Sequence, residues 1–301
     1  MDATTQEALT NAAQTYFQMV AAGDAASLQQ NSIASLATNF AGIQNAIKEN
    51  QPNLAGVKGT ARGPFLLQAT GSAPLAHAEF LCGVFGPSGQ TAESAVFMIP
   101  NLPPGNYGIV TVDAAGSQGA YTVTFVLQQE SEAWKVGGLY IKAVDAAAHD
   151  GKWFAQRADE FKAKGQTRNA WLYFQEAREL LVPVPFMSTM MTDKLYDEAQ
   201  SVKPADLPSN DAPMTLSAGG KSYALTTLFP APVGNDLELI VKYQSPDISD
   251  TGKTYQDNLA VIKALLARYP EFRDAFDGVV ARAVAPSGQD YGTMMPMKEI
   301  K

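Results

Sequence analysis

Few residues in this chain have the type and spacing that chemistry demands. His77 and His149 are its two histidines, and neither has a Cys, His or carboxylate near it at a metal-ligand spacing. The single Cys82 excludes an intramolecular disulfide and a cysteine-based zinc site, and it reads as a small buried hydrophobe. Ala218-Gly219-Gly220-Lys221-Ser222 imitates the end of a phosphate-binding loop. Thr215 stands where the full motif needs glycine, and a strand rather than a helix is expected after the lysine. The two glycines therefore predict a hairpin turn. Gly86-Pro87-Ser88-Gly89 and Ala285-Pro286-Ser287-Gly288 lack the strand-to-helix elbow of a serine hydrolase and also read as turns. The expectation is no metal and no cofactor.

Bulk properties narrow the classes further. At 301 residues the chain has room for two domains, and a 46% hydrophobic content supports packed cores. With 22 basic against 30 acidic residues, the net charge of −8 repels nucleic acid and anionic lipid. No apolar run reaches the roughly 18 residues of a membrane span, so no transmembrane segment is expected. The start Met1-Asp2-Ala3-Thr4-Thr5-Gln6 lacks the charged head and greasy middle of a signal peptide. The Ala/Thr/Gln/Asn-rich, lysine-poor composition predicts a secreted or periplasmic bacterial protein whose leader is absent from this chain.

The elements that would position any site follow from periodicity. Thr4-Thr5-Gln6-Glu7 reads as a capping box, followed by helical apolar pairs from Ala8/Leu9 to Met19/Val20 and a stop at Gly23. Asp24 caps a short second helix, and Leu36, Phe40, Ile43 and Ile47 mark a third that Pro52 ends. Six strands are predicted from Phe65 to Ile141. They are separated by turns at Gly86-Pro87-Ser88-Gly89, Pro103-Pro104-Gly105-Asn106 and Ala115-Gly116-Ser117.

Three helices ahead of a strand run that closes on Trp134-Lys-Val-Gly-Gly-Leu-Tyr-Ile141 resemble the NTF2-like superfamily of ketosteroid-isomerase-like and SnoaL-like proteins. Tyr16-Phe17-Gln18-Met19-Val20-Ala-Ala-Gly23-Asp24 is similar to the first helix of that fold and its small–Gly–Asp corner. The likeness covers residues 4–143. It implies three helices on a curved antiparallel sheet, a cone with an apolar pocket. In such a pocket Glu79 would be the base, and Tyr16, His77, Tyr107 or Tyr121 the donors. A rival local match also exists, because Phe97 to Tyr107 resembles the strand-turn-strand of carboxypeptidase-regulatory-like β-sandwiches.

Residues Gly151 to Pro183 resemble one tetratricopeptide-like helical hairpin. Phe154, Ala158, Phe161 and Gly165 match its first helix and turn, and Ala170, Phe174 and Ala177 its second. A single such unit gains a core only by packing on neighbours. Its remaining aromatics Trp153, Trp171 and Tyr173 are candidates for a partner groove.

The expected layout is α+β throughout: an NTF2-like domain at 1–146, the hairpin with a short helix at 147–202, a Pro/Asp-rich linker at 203–213, and a small α+β module at 214–301. The leading functional expectation is a non-enzymatic binding or scaffold protein of the bacterial cell envelope, taking a small apolar ligand or a protein partner. The alternative is a small-molecule enzyme or carrier using the cone pocket, of ketosteroid-isomerase or polyketide-cyclase type. A homodimer fits either.

Overall fold

The computed structural model describes residues 1–116 and 119–301, so the Ser117 end of the expected Ala115-Gly116-Ser117 turn lies outside the described residues. Helices α1 (Ala3–Ala22), α2 (Ala25–Gln30), α3 (Ala34–Ala37) and α4 (Ala41–Leu54) come first. Strands β1 (Gly59–Ala61), β2 (Phe65–Ala69), β3 (Leu75–Cys82), β4 (Phe85–Gly86), β5 (Gly89–Gln90) and β6 (Ala95–Leu102) follow. The long strands β7 (Gly105–Gly116), β8 (Gly119–Glu130) and β9 (Ala133–Ala143) come next. Short β10 (Asp145–Ala146) and β11 (His149–Asp150) lead into α5 (Gly151–Ala163), α6 (Thr167–Leu181), β12 (Met187–Thr189) and α7 (Met190–Val202). The chain ends with β13 (Met214–Ala218), β14 (Lys221–Val233), β15 (Asp236–Gln244), α8 (Thr251–Arg268), β16 (Gly278–Val284) and β17 (Asp290–Pro296). It divides into two compact units, Met1–Asp145 with Leu180–Lys194, and Ala146–Glu179 with Leu195–Lys301.

In the first unit the cap of α1 lies two residues before the start of the expected capping box. Asp2, not Thr4, is the cap, accepting from the Thr5 N–H at 2.8 Å. Asp24 caps α2 as its sequence context predicts, accepting from the Ser27 N–H at 3.0 Å. Leu9, Ala13, Phe17 and Val20 form the buried stripe of α1 and meet Val110, Val112, Val123 and Phe125 of the main sheet. The approach is close. A Cβ at Gly108 would stand 2.1 Å from the Leu9 methyl, so only glycine fits there.

The NTF2-like expectation is overturned here. In the main sheet β1 and β2 share one edge of β7, and β8 then β9 follow on the other side. Both flanks of β7 are thereby filled. The strands expected at Ala78 to Phe85 and Ala95 to Ile99 belong to the single sheet of that fold, but they form as Leu75–Cys82 and Ala95–Leu102 and pair with each other and with Met187–Thr189 as a separate three-stranded sheet. Among the described residues no curved or closed sheet forms, and the architecture is α+β with several sheets. The alternating apolar residues of β3 and β6 explain the layering. Ala78, Ala95 and Phe97 project from one face and make a second core with Leu67, Tyr107 and Ile109 of the main sheet. The helical section differs too. Four helices precede the strands rather than three, and α4 carries Pro52 inside its last turn.

The second unit holds a five-stranded sheet in the order β13-β14-β15-β16-β17, antiparallel except for the β15–β16 pair. That parallel pair needs a crossover, which α8 supplies. Val261, Ile262, Leu265 and Leu266 are its buried face. Gly219 and Gly220 sit at φ +57° and +77° between the paired Ala218 and Lys221. The phosphate-loop lookalike is thus the two-residue hairpin turn that the sequence predicts. α5 is capped by Asp150, which accepts from the Trp153 N–H at 2.8 Å, and Gly165 (φ +73°) turns the chain into α6. Phe154, Ala158, Phe161, Ala170, Phe174 and Ala177 are all buried. Asp206, in the segment 203–213, accepts from the Tyr269 hydroxyl at 2.8 Å and pairs with Arg168 at 2.6 Å.

Candidate functional site

The turn ahead of α5 is the start of the candidate site. Ala147 and Ala148 both adopt left-handed backbone, at φ +49° and +61°. Two consecutive alanines there are strained, since each Cβ crowds the following carbonyl. The turn delivers His149 flat against Trp153, with ring centroids 3.6 Å apart and planes 4° from parallel. Ala147, His149 and Trp153 form one wall of a cleft of about 430 Å³. Tyr173 of α6 forms its floor, and Leu237 with Ala275–Asp277 closes the far side.

Two guanidinium groups and three carboxylates line this cleft: Arg157, Arg273, Glu160, Asp274 and Asp277. Arg157 is paired with Glu160, and its guanidinium lies 4.7 Å above the Phe161 ring. Asp274 accepts from the Gln166 amide at 2.6 Å, and Asp277 from the Leu237 N–H at 2.8 Å. Arg273 donates at 3.5 Å to the Met297 carbonyl and has no carboxylate partner among the described residues. The Tyr173 hydroxyl donates to the Ala275 carbonyl, and burial pushes its phenol far above the ordinary tyrosine range. It acts as a fixed donor, never as a base.

The residues singled out from sequence fall into three places. Trp153 and Tyr173 share the cleft, with ring centroids 6.1 Å apart. Trp171 does not line it; its indole N–H is buried without a partner among the described residues. The cone candidates are not brought together. Tyr16 sits under the helices and donates to the Trp134 carbonyl at 2.7 Å. Tyr107 lies in the other core and donates to the Pro103 carbonyl at 2.9 Å. Burial raises both phenols. Tyr121 is half-buried against the helical core, and His77 and Glu79 are exposed on β3. Their grouping depended on a single curved sheet that the topology does not make.

Sequence reasoning missed Arg157, Arg273 and Asp277 because they converge from segments more than a hundred residues apart. The Ala146-Ala147-Ala148 run carried no signal, since alanine is a poor marker of positive φ. His149 lies in β11, just ahead of the Asp150 cap and outside α5. Its stack on Trp153 is made across the start of α5 and is not a helical i,i+4 contact, so the helix period did not announce it.

Among the described residues no group of three His, Cys, Asp or Glu side chains is arranged to hold a metal ion. No helix among them is long and apolar enough to cross a membrane. Comparison with protein families, with curated proteins and with solved structures returns no match.

Proposed function

We propose that this chain is a non-enzymatic binding protein whose Trp153–Tyr173 cleft takes a ligand bearing both charges beside a flat or apolar group, such as a stretch of peptide. The observation that carries this reading is the state of the lining groups. Glu160, Asp274, Asp277 and Tyr173 are each already engaged by a protein partner. His149 is stacked on Trp153 and takes no hydrogen bond among the described residues. A general base or nucleophile needs its reacting atom free and its partner within bonding reach, and this cleft offers no such pair. It offers instead an aromatic wall, an unneutralised Arg273 and two exposed carboxylates, Asp274 and Asp277. Such a set recognises a zwitterionic chain through charge-assisted bonds and stacking. A binding or scaffold role in the bacterial envelope, where the composition points, is consistent with it.

The test is an NMR titration of isotopically labelled protein with short peptides that carry an aromatic residue and both charges. Binding is expected to shift the Trp153 indole and Arg273 guanidinium signals. Trp153→Ala or Arg273→Ala should each weaken it about tenfold or more, as buried aromatic and Arg anchors do. Peptide binding that survives both substitutions, or peptide turnover, would overturn the proposal.

A further inference from the structure

We infer that the protein forms a symmetric dimer by pairing the free edge of β3 with the same strand of a second copy. In the three-stranded sheet β12-β6-β3, one edge of β3 has no strand beside it. Among the described residues no backbone bond outside the β6 ladder reaches Leu75–Cys82. An eight-residue edge is a ready template for another strand, and proteins usually blunt such edges with lysine, proline or a bulge. β3 has none of these. Its sequence is Leu-Ala-His-Ala-Glu-Phe-Leu-Cys, and its register against β6 runs without a shift.

The surroundings are apolar as well as unpaired. Leu81 on the outer face of β3 is 76% exposed, and Met98 of β6, opposite Glu79, is 65% exposed. Phe85, just beyond the strand end, is 75% exposed. An isolated exposed leucine is unremarkable, but this group surrounds an open strand edge.

The alternation of the strand selects both the partner and the register. A second copy pairing antiparallel across a two-fold axis must align residues that point to the same face. His77, Glu79 and Leu81 share the exposed outer face, while Leu75 at the strand start is partly buried against the second core. An axis through Glu79 would oppose two carboxylates, and an axis through His77 would oppose two imidazoles. An axis through Ala78 sets His77 against the partner's Glu79, twice by symmetry. The same axis sets exposed Leu81 against the partner's Leu75 and small Ala78 against the partner's Ala78. Like charges directly opposite destabilise a sheet, and opposite ones support it. The strand is therefore self-complementary in one register, which fits a copy of itself better than an unrelated strand.

The experiment is sedimentation of the full chain over a concentration series, with circular dichroism and melting on every variant to confirm folding. His77, Glu79 and Leu81 are exposed, so their substitution leaves the cores intact. The wild-type chain is expected to dimerise. His77→Glu alone and Glu79→His alone should each weaken the dimer about tenfold or more, because each opposes like groups. The double swap His77→Glu with Glu79→His should restore it, since the pair is merely exchanged across the axis. Leu81→Lys should weaken it without rescue by the swap. A wild-type chain that stays monomeric up to about 100 µM, weaker than a specific contact of this kind, would overturn the inference. So would a dimer that all of these variants leave unchanged, or one that the double swap fails to rescue.

Discussion

Substituting Asn258 by Ala should cost the second unit about 4–6 kcal/mol, a sum of lost bonds and an orphaned hydroxyl. Asn258 is fully buried on α8. Its carbonyl accepts from the Tyr243 hydroxyl at 2.8 Å. Its amide donates to the Thr293 hydroxyl at 2.9 Å and the Tyr291 carbonyl at 3.2 Å. One side chain thereby ties the crossover helix to β15 and to β17. Each bond contributes about 1 kcal/mol net, and a buried hydroxyl left unpaired adds about 1–3 kcal/mol. Tyr243 is 2% exposed, so water cannot replace the missing acceptor. Tyr243→Phe alone should cost less, because the amide keeps its other two bonds. The two losses should not add. The double variant removes both halves of the pair and should recover about 1 kcal/mol or more relative to the sum. Chemical denaturation followed by tryptophan fluorescence measures this, in a Trp134→Phe background so that Trp153 and Trp171 report on the second unit. A loss below about 1 kcal/mol, or strict additivity, would refute the account of Asn258 as the tie between helix and sheet.

Three further outcomes follow from single positions. Glu238 is 3% exposed with an unpartnered carboxyl oxygen; burial, then the charges of Asp277 and Asp236, push its pKa above the ordinary glutamate range. The neutral form is thus favoured on folding. That contribution is present below the ordinary glutamate range near about 4.3 and is lost as the pH climbs through the raised folded value. Glu238→Gln should therefore flatten the decline of stability above that range, and a pH series of melting curves identical to wild type would contradict it. Ala148→Gly should stabilise by up to about 1 kcal/mol, because glycine accepts the left-handed φ of +61° that alanine resists; calorimetry showing a loss would mean the turn is unstrained. Gly108→Ala should cost about 1–3 kcal/mol by forcing Leu9 off β7, and a neutral result in urea melts would show that α1 can shift freely.

Local rules carried much of the chain. Asp24 and the paired glycines at 219 and 220 act where short-range chemistry placed them, because caps and tight turns are decided within four residues. Phe154, Phe161 and Phe174, picked out by the resemblance to a tetratricopeptide-like hairpin, are likewise buried on α5 and α6. The segments Ala78 to Phe85 and Ala95 to Ile99 also read as strands, which form over Leu75–Cys82 and Ala95–Leu102. That reading did not say which strands would pair. Period-two patterning specifies a face and not a neighbour, so a continued sheet and a stacked second sheet look alike in sequence. The cone expectation failed on that ambiguity, and with it the grouping of Tyr16, His77, Glu79, Tyr107 and Tyr121.

The sequence by itself determined where the helices and most strands lie and the acidic balance of charge. These depend on near neighbours and on composition. Only the tertiary structure decided the rest. It split the first strands into two layers, set Trp153 and Tyr173 beside Arg273 and Asp277, and left β3 with an open edge. Each of those outcomes rests on a competition among distant segments for the same apolar surface, and that competition is settled only when the whole chain packs.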